Sequence, residues 1–430
     1  MTGPRILFVS YGGGHIDIVA RVWQALGAEG QGQARLLALT TAAPAAARRA
    51  IAHSRCVDYL PSPDYAAASE IGAALSEGIW TAASGIAWED SCAYMGVSMC
   101  DLIADLGEEG ARAAFDAKGR AAFCPRRFLG HVMDRERPDI VVTTCNVRME
   151  RAAHLEAQRR AIRSVRIEDL FGYSLLGPYS DARAPKLVDS TDWPDDLVVM
   201  NDHVARTVVR HGFPATRVRV LGQPVLSDWA ASYAGAKIAD ALVDWATGAN
   251  PVIVYVAPPD RETLSAHGAA FQALASRRSD LRICLKMHPS VSVETFGQIC
   301  PGQVPGNLRV LDREDIITVI RAADLTVVNN STAGLLAAMS GKPMLVLNTS
   351  GQAEVIPYVA SGVAERVDQL NALEAQIDGA LEDQARAKTE TGLMPPVPEM
   401  FQSQPDAARR IASWLRRGAG PLEDHHVLRV

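Results

Sequence analysis

Short apolar runs alternate with amphipathic segments along most of the chain. Runs of four to six residues at this spacing favour strands that are buried on both faces of a parallel sheet. The segments between them repeat apolar residues at helical spacing. We therefore predict an α/β fold with two Rossmann-like, doubly wound parallel sheets. The predicted strands are 5–9, 36–39, 138–143, 164–167, 197–200 and 218–221, then 252–256, 282–285, 308–311, 325–328 and 344–347.

The alternation is interrupted by an Ala-rich helical stretch that ends in Gly248-Ala249-Asn250-Pro251. We predict an N-terminal domain over 1–227, a linker over 228–250, a second domain over 251–400, and a C-terminal helix and tail over 401–430. Within the first domain, 62–128 is less regular and favours helices. This segment carries Trp80 and Trp88, and we interpret it as an insertion that shapes a substrate pocket.

Composition narrows the classes of function. The 430 residues carry a formal net charge of −6, which gives no electrostatic reason to expect nucleic acid as a partner. No apolar run reaches 18 residues, so we expect a cytoplasmic protein without an integral membrane segment. The seven cysteines are scattered without C-x-x-C pairing, which favours small core residues over a disulfide framework or a zinc site.

Two turns offer candidate chemistry. The first predicted strand runs into Gly12, Gly13 and Gly14 and then His15, and glycines at such a turn allow close approach of a ligand. The spacing is not that of the G-x-G-x-x-G dinucleotide fingerprint. The second turn follows 325–328 and opens a small-residue helix that is predicted to reach Gly341. Free N–H groups and the helix dipole would suit a phosphate there, at Asn330, Ser331, Thr332, Ala333 and Gly334.

Four segments resemble those of the GT-B glycosyltransferases and of the related non-hydrolysing UDP-N-acetylglucosamine 2-epimerase. They are GGGHIDIVARVWQAL, VRVLGQPVLSDW, LKMHPS and AADLTVVNNSTAGLLAAMSGKPMLVLN. Gln352 followed by Gly362 also has about the spacing of the family's D-Q…G segment. Three departures stand out: Asp17-Ile18 replaces Asn-Pro, Leu336 replaces a ribose-binding Glu, and Gly351 replaces the acidic residue of D-Q.

The resemblance implies two domains that face a central cleft and a nucleotide-sugar co-substrate, most often UDP-linked. The second domain would hold this donor, through the phosphate turn and Gln352. Lys286 and His288 end a strand near the same edge and are further candidates for donor binding, as is Arg261. The alternatives are a structural His288 held by a backbone carbonyl and an Arg261 that only begins a helix.

His15 stands where an inverting transferase of this fold places its general base. A histidine has an ordinary pKa of about 6.5, which suits proton removal from an acceptor hydroxyl. A carboxylate would orient the ring, and Asp17, Glu89, Asp90 and Asp101 all remain open. A histidine that only caps the helix or binds substrate is the alternative.

The sequence thus predicts a metal-independent glycosyltransferase, since no Asp-x-Asp triplet is present and no cofactor is implied beyond the nucleotide-sugar. Its partners would be that donor and an unidentified acceptor, and a homodimer is left open. An epimerase-like isomerase is the first alternative, although the G-T-R-P-E segment expected of it is absent. A non-catalytic nucleotide-sugar-binding protein is the second.

Overall fold

The structure is a computed structural model that describes residues 3–172, 190–329, 331–351, 354, 356–391 and 397–420. The chain divides into two units. The first contains the described residues up to Ser227 and resumes at Ser403, and the second runs from Asp228 to Gln402. Each unit holds one six-stranded sheet of parallel strands among the described residues.

The sheet of the first unit has the strand order β2-β1-β3-β4-β5-β6. Because the chain turns from β1 to β2 on one side and to β3 on the other, the order reverses between β1 and β3. Open sheets of this kind bind ligands beyond the carboxyl ends of the strands at such a reversal. The strands are β1 (Ile6–Ser10), β2 (Ala34–Ala38), β3 (Ile140–Thr143), β4 (Arg163–Ile167), β5 (Asp196–Val199) and β6 (Val218–Val220).

Helices cover both faces of this sheet, and strand residues alternate between the two cores. Ile6 and Phe8 pack with α1, α2 and α15, whereas Leu7 and Val9 pack with α4, α5 and α6. Helices α1 and α4 break at Gly27 and Gly107. The helices are α1 (Gly14–Gly32), α2 (Ala42–Arg48), α3 (Ala68–Ser76), α4 (Trp88–Lys118), α5 (Arg126–Glu136), α6 (Arg148–Arg159), α7 (Asp202–Arg210), α8 (Pro224–Gly235, which crosses into the second unit) and, after the second unit, α15 (Ala407–Arg416).

The sheet of the second unit has the order β12-β11-β10-β7-β8-β9, with its reversal between β7 and β10. All eleven predicted strands of the chain are present, and β12 is an additional edge strand. The strands are β7 (Val252–Val256), β8 (Arg282–Lys286), β9 (Leu308–Leu311), β10 (Leu325–Val328), β11 (Met344–Leu347) and β12 (Glu365–Val367).

Side-chain caps fix the start of several helices in the second unit. Asp260 accepts a hydrogen bond from the N–H of Thr263 at the start of α10, and Asp315 caps α12 in the same way through Ile317. The helices are α9 (Val243–Ala246), α10 (Arg261–Arg277), α11 (Val293–Ile299), α12 (Ile316–Ala322), α13 (Gly334–Met339) and α14 (Leu373–Thr391). None of the helices in the described part of the chain has the apolar length needed to span a bilayer.

Candidate functional site

His15 lies at the reversal point of the first sheet. It is the second residue of α1, directly beyond β1, and its ring is partly buried. Its Nδ1 lies 3.0 Å from Oγ1 of Thr144, which directly follows β3. The two polar side chains therefore meet where the carboxyl ends of β1 and β3 adjoin, which is where a doubly wound sheet binds ligands.

Glu150 supports this contact from behind. Its carboxylate is fully buried and accepts the hydroxyl proton of Thr144 at 3.0 Å. It also accepts the backbone N–H groups of Tyr11 at 3.0 Å, Thr144 at 2.5 Å and Cys145 at 2.8 Å. Because these N–H groups come from the turns after β1 and β3, one carboxylate ties both turns together. A buried carboxylate requires such donors.

The direction of the hydrogen bonds sets the tautomer of His15. The hydroxyl of Thr144 has a single proton, and it donates that proton to Glu150. Thr144 must then accept from Nδ1–H of His15. The neutral ring carries its lone pair on Nε2, the nitrogen that a general base uses.

None of the four carboxylates expected to orient His15 does so. Asp17 pairs with Arg49, and Asp90 pairs with Arg55. Asp101 accepts hydrogen bonds from the hydroxyl of Tyr65 and from two backbone N–H groups, and Glu89 is an exposed residue of α4. Thr144 and Glu150, which sequence reasoning missed, take this place because α6 follows β3 at the reversal point.

The glycine loop is tightly packed at its first residue. A Cβ on Gly12 would lie 1.9 Å from Oγ1 of Thr41 and 2.9 Å from its carbonyl carbon, so a side chain cannot fit without movement of the Thr41 backbone. Gly13 has φ 68°, a conformation that glycine adopts without strain. Gly14 has open space beside it and begins α1.

Two further carboxyl groups follow β4. Glu168 is fully buried, and burial raises the pKa of its neighbour Asp169 to about 6. Within the described residues, Oδ1 of Asp169 has no hydrogen-bond partner. The charge of Glu150 adds to this rise in the pKa of Asp169, so the carboxyl groups of α6 and of the turn after β4 interact at the same edge of the sheet.

His15, Cys145 and Glu150 are the group of three potential metal ligands found among the described residues, with their ligand atoms within 4.8 Å of one another. The donor set fits a metal poorly. Glu150 already accepts three N–H groups and a hydroxyl, and His15 Nδ1 contacts Thr144. Burial raises the pKa of the Cys145 thiol, whereas a metal needs the thiolate.

In the second unit, the expected phosphate turn differs from its prediction. Helix α13 begins only at Gly334, later than the capped start expected at Asn330 to Thr332, and it stops before Gly341, which has φ 69° and ends the helix as predicted. Ser331 accepts the N–H of Ala333 with its side chain and the hydroxyl of Tyr358 with its carbonyl. Thr332 is exposed and Ala333 is partly exposed. Asn330 and Gln352 lie outside the described residues.

Packing accounts for Gly334. A Cβ there would lie 2.7 Å from Oη of Tyr358, the hydroxyl that holds Ser331. The space beside Gly334 on its Cβ side is thus occupied by Tyr358. Leu336, where the resembling families carry Glu, is 1% exposed and faces the core.

Lys286 and His288, at the end of β8, differ in burial. Lys286 is buried, and its Nζ donates to the carbonyls of Met287 and Asp312, each at 3.2 Å. Burial lowers the pKa of its ammonium. His288 is exposed, with Nδ1 at 2.8 Å from Oγ of Ser290, and Arg261 is the exposed first residue of α10. The ammonium of Lys286 therefore bonds to backbone carbonyls within the protein, whereas the side chains of His288 and Arg261 remain accessible.

A buried chain of hydrogen bonds reaches the carboxyl edge of this sheet. Oη of Tyr255 on β7 lies 2.6 Å from Nδ1 of His267 on α10, and Nε2 of His267 lies 2.9 Å from Oγ1 of Thr349. Tyr255 and His267 are fully buried, and Thr349 is exposed two residues after β11. Burial lowers the pKa of His267 to about 4, so the ring is neutral near pH 7.

Searches with family models and against curated proteins gave no match. Solved structures match over nearly the whole chain, and they define the fold as that of the GT-B glycosyltransferases and the UDP-GlcNAc 2-epimerases. Three of them are the S. aureus MnaA–UDP complex (TM-score 0.57, 13% identity, 96% of this chain and 95% of that one), the glycosyltransferase of kitacinnamycin (0.56, 15%, 97% and 100%), and the Neisseria meningitidis UDP-GlcNAc 2-epimerase bound to UDP-GlcNAc (0.55, 14%, 95% and 99%).

Proposed function

We propose that this protein is a glycosyltransferase that uses a nucleotide-sugar and in which His15 is the general base. The observation that carries the proposal is the chain from Glu150 through Thr144 to Nδ1 of His15. It holds the ring in one tautomer with Nε2 free to accept a proton, at the sheet edge where this fold binds ligands.

The reaction then needs few parts. Nε2 of His15 takes the proton of an acceptor hydroxyl as its oxygen attacks the anomeric carbon of the donor. The bond from that carbon to the nucleotide's phosphate oxygen breaks, and the nucleoside diphosphate leaves with the electron pair. A base in this role contributes about 10²- to 10⁴-fold to the rate.

For the donor we propose a UDP-sugar held at the carboxyl edge of the second sheet. UDP or UDP-GlcNAc is bound in the solved S. aureus and N. meningitidis relatives, which supports this choice. Accessible polar groups at this edge include Ser331, Thr332 and Thr349, with Arg261 and His288 after neighbouring strands. Thr349 is the most strongly oriented of them, through His267.

An epimerase is the second candidate, and Asp169 is the observation that favours it. Epimerisation by elimination and re-addition of the nucleotide removes and returns the proton on C2 of the sugar. Asp169, with its pKa raised to about 6 and one oxygen unpartnered among the described residues, has the properties of such an acid or base.

Incubation of the protein with UDP-GlcNAc in D₂O separates the two functions. An epimerase incorporates deuterium at C2, which mass spectrometry detects as a gain of one mass unit, whereas a transferase leaves the sugar unlabelled.

For a transferase, release of UDP should depend on His15. His15→Ala should abolish it without loss of UDP binding, and His211→Ala, an exposed histidine of the same unit, should leave it unchanged. Full turnover in His15→Ala would remove His15 as the base.

A further inference from the structure

Arg148 is a cationic side chain beside the His15 site. It is the first residue of α6, directly after the turn that holds Thr144, and its guanidinium carbon lies 4.6 Å from the ring centroid of Tyr11. Within the described residues, its side chain forms no hydrogen bond and no ion pair. Arg148 also has φ 48°, an unfavourable backbone conformation for a residue with a side chain.

Tyr11 connects this cation to the proposed base. Its N–H donates to Glu150, the carboxylate behind Thr144, and only the glycine loop separates it from His15. Its hydroxyl lies 2.9 Å from that of Tyr94 and accepts the N–H of Met149 at 3.2 Å. The aromatic platform under Arg148 is therefore fixed from three directions.

We propose that Arg148 binds an anionic group of the acceptor, so that the molecule presented to His15 carries a carboxylate or a phosphate. A guanidinium presents paired N–H donors that match either group. This identification of the acceptor class rests on the proposed function, in which His15 faces the acceptor. Packing of Arg148 on Tyr11 alone is the competing explanation.

The test is arginine modification by phenylglyoxal, followed by mass spectrometry of peptides containing Arg148 and Arg137. Inorganic phosphate and malonate are compared with sodium chloride at equal ionic strength. An anion at about twice its Kd should slow modification of Arg148 about threefold. Arg137 is the matched control, because it has φ 47°, forms no ion pair with a described residue and precedes β3 at the opposite edge of the sheet.

Protection by phosphate alone identifies a phosphorylated acceptor, and protection by malonate identifies a carboxylate. Equal modification of Arg148 in all three salts overturns the proposal. Because the probes need no nucleotide, that result leaves the role of His15 standing. Conversely, protection without any His15-dependent turnover would retain the anion site and reject the transferase.

Discussion

Nδ1 of His15 and Oγ1 of Thr144 lie 3.0 Å apart, although the residues are 129 positions apart in the chain. The contact exists because β1 and β3 are neighbours in the sheet and each ends in a turn bound by Glu150. A single threonine therefore stands between a buried carboxylate and the proposed base.

Replacement of that threonine should separate orientation from binding. Thr144→Val keeps the shape but removes the acceptor for Nδ1–H, while the three N–H donors of Glu150 remain. We expect kcat to fall about 10- to 100-fold, less than the loss of the base itself would cause. KM for the nucleotide-sugar should stay constant, since the donor site is assigned to the other unit.

Thr144→Ser, which retains the hydroxyl, should recover most of the activity. Unchanged kcat in Thr144→Val would show that Thr144 does not orient the base.

His15 and His267 should have opposite tautomers. His15 donates from Nδ1 because Thr144 gives its proton to Glu150. Within the described residues, Oη of Tyr255 has only Nδ1 of His267 as a partner, so Tyr255 donates there and His267 carries its proton on Nε2. NMR of protein labelled with ¹⁵N-histidine near pH 7.5 distinguishes the two tautomers. A proton on Nε2 of His15, or on Nδ1 of His267, would contradict these assignments.

Strands such as β1, β3, β7 and β11 were predictable because both faces of each sheet are covered, so their sequences read as short apolar runs. An arginine interrupts the run in β4, β6 and β9. Strand β12 was missed because Glu365 and Arg366 are exposed and leave no such run. Helix α13 ends at the predicted Gly341 stop but begins only at Gly334. Gly334 packs against Tyr358, a residue that no local pattern associates with it.

The proposed base was found from its glycine loop, but the residues behind it were not. Glu150 lies in a helix whose sequence is rich in charge, so nothing local marks it as buried. Its role depends on the N–H of Tyr11, 139 positions away. Knowledge that strand 138–143 lies beside strand 5–9 would have pointed to Thr144, but apolar periodicity does not determine strand order.

Asp169 should make stability depend on pH. In the unfolded chain the carboxyl has an ordinary pKa of about 3.9, whereas burial raises it to about 6 in the folded protein. The folded state therefore binds this proton more tightly than the unfolded chain does. The resulting contribution to the free energy of unfolding is fully present below about pH 4 and is lost as the pH rises through about 6. Asp169→Asn cannot ionise and avoids this loss. We expect the free energy of unfolding of Asp169→Asn, relative to that of the wild type, to rise by up to about 3 kcal/mol when the pH is raised from 4 to 7.

Urea unfolding of both proteins at the two pH values measures this difference. Asp116→Asn removes an exposed carboxyl of α4 and is the control, for which we expect a much smaller change. A difference between Asp169→Asn and the wild type that is the same at pH 4 and pH 7 would show that Asp169 ionises in the folded protein as it does in the unfolded chain.

Thr349 should contribute to nucleotide binding through a hydroxyl proton that points away from the protein. Because Nε2–H of His267 donates to Oγ1 of Thr349, the threonine's own proton is free for an acceptor such as a phosphate oxygen or a sugar hydroxyl. Loss of one such hydrogen bond costs about 1 kcal/mol, so Thr349→Val should weaken UDP binding about fivefold in titration calorimetry.

Thr349→Ser should bind like the wild type. Thr247→Val, whose hydroxyl bonds only to carbonyls of its own turn, is the matched control and should have no effect. Wild-type affinity in Thr349→Val would mean that the relay from Tyr255 ends at the protein surface and serves only to satisfy a buried histidine.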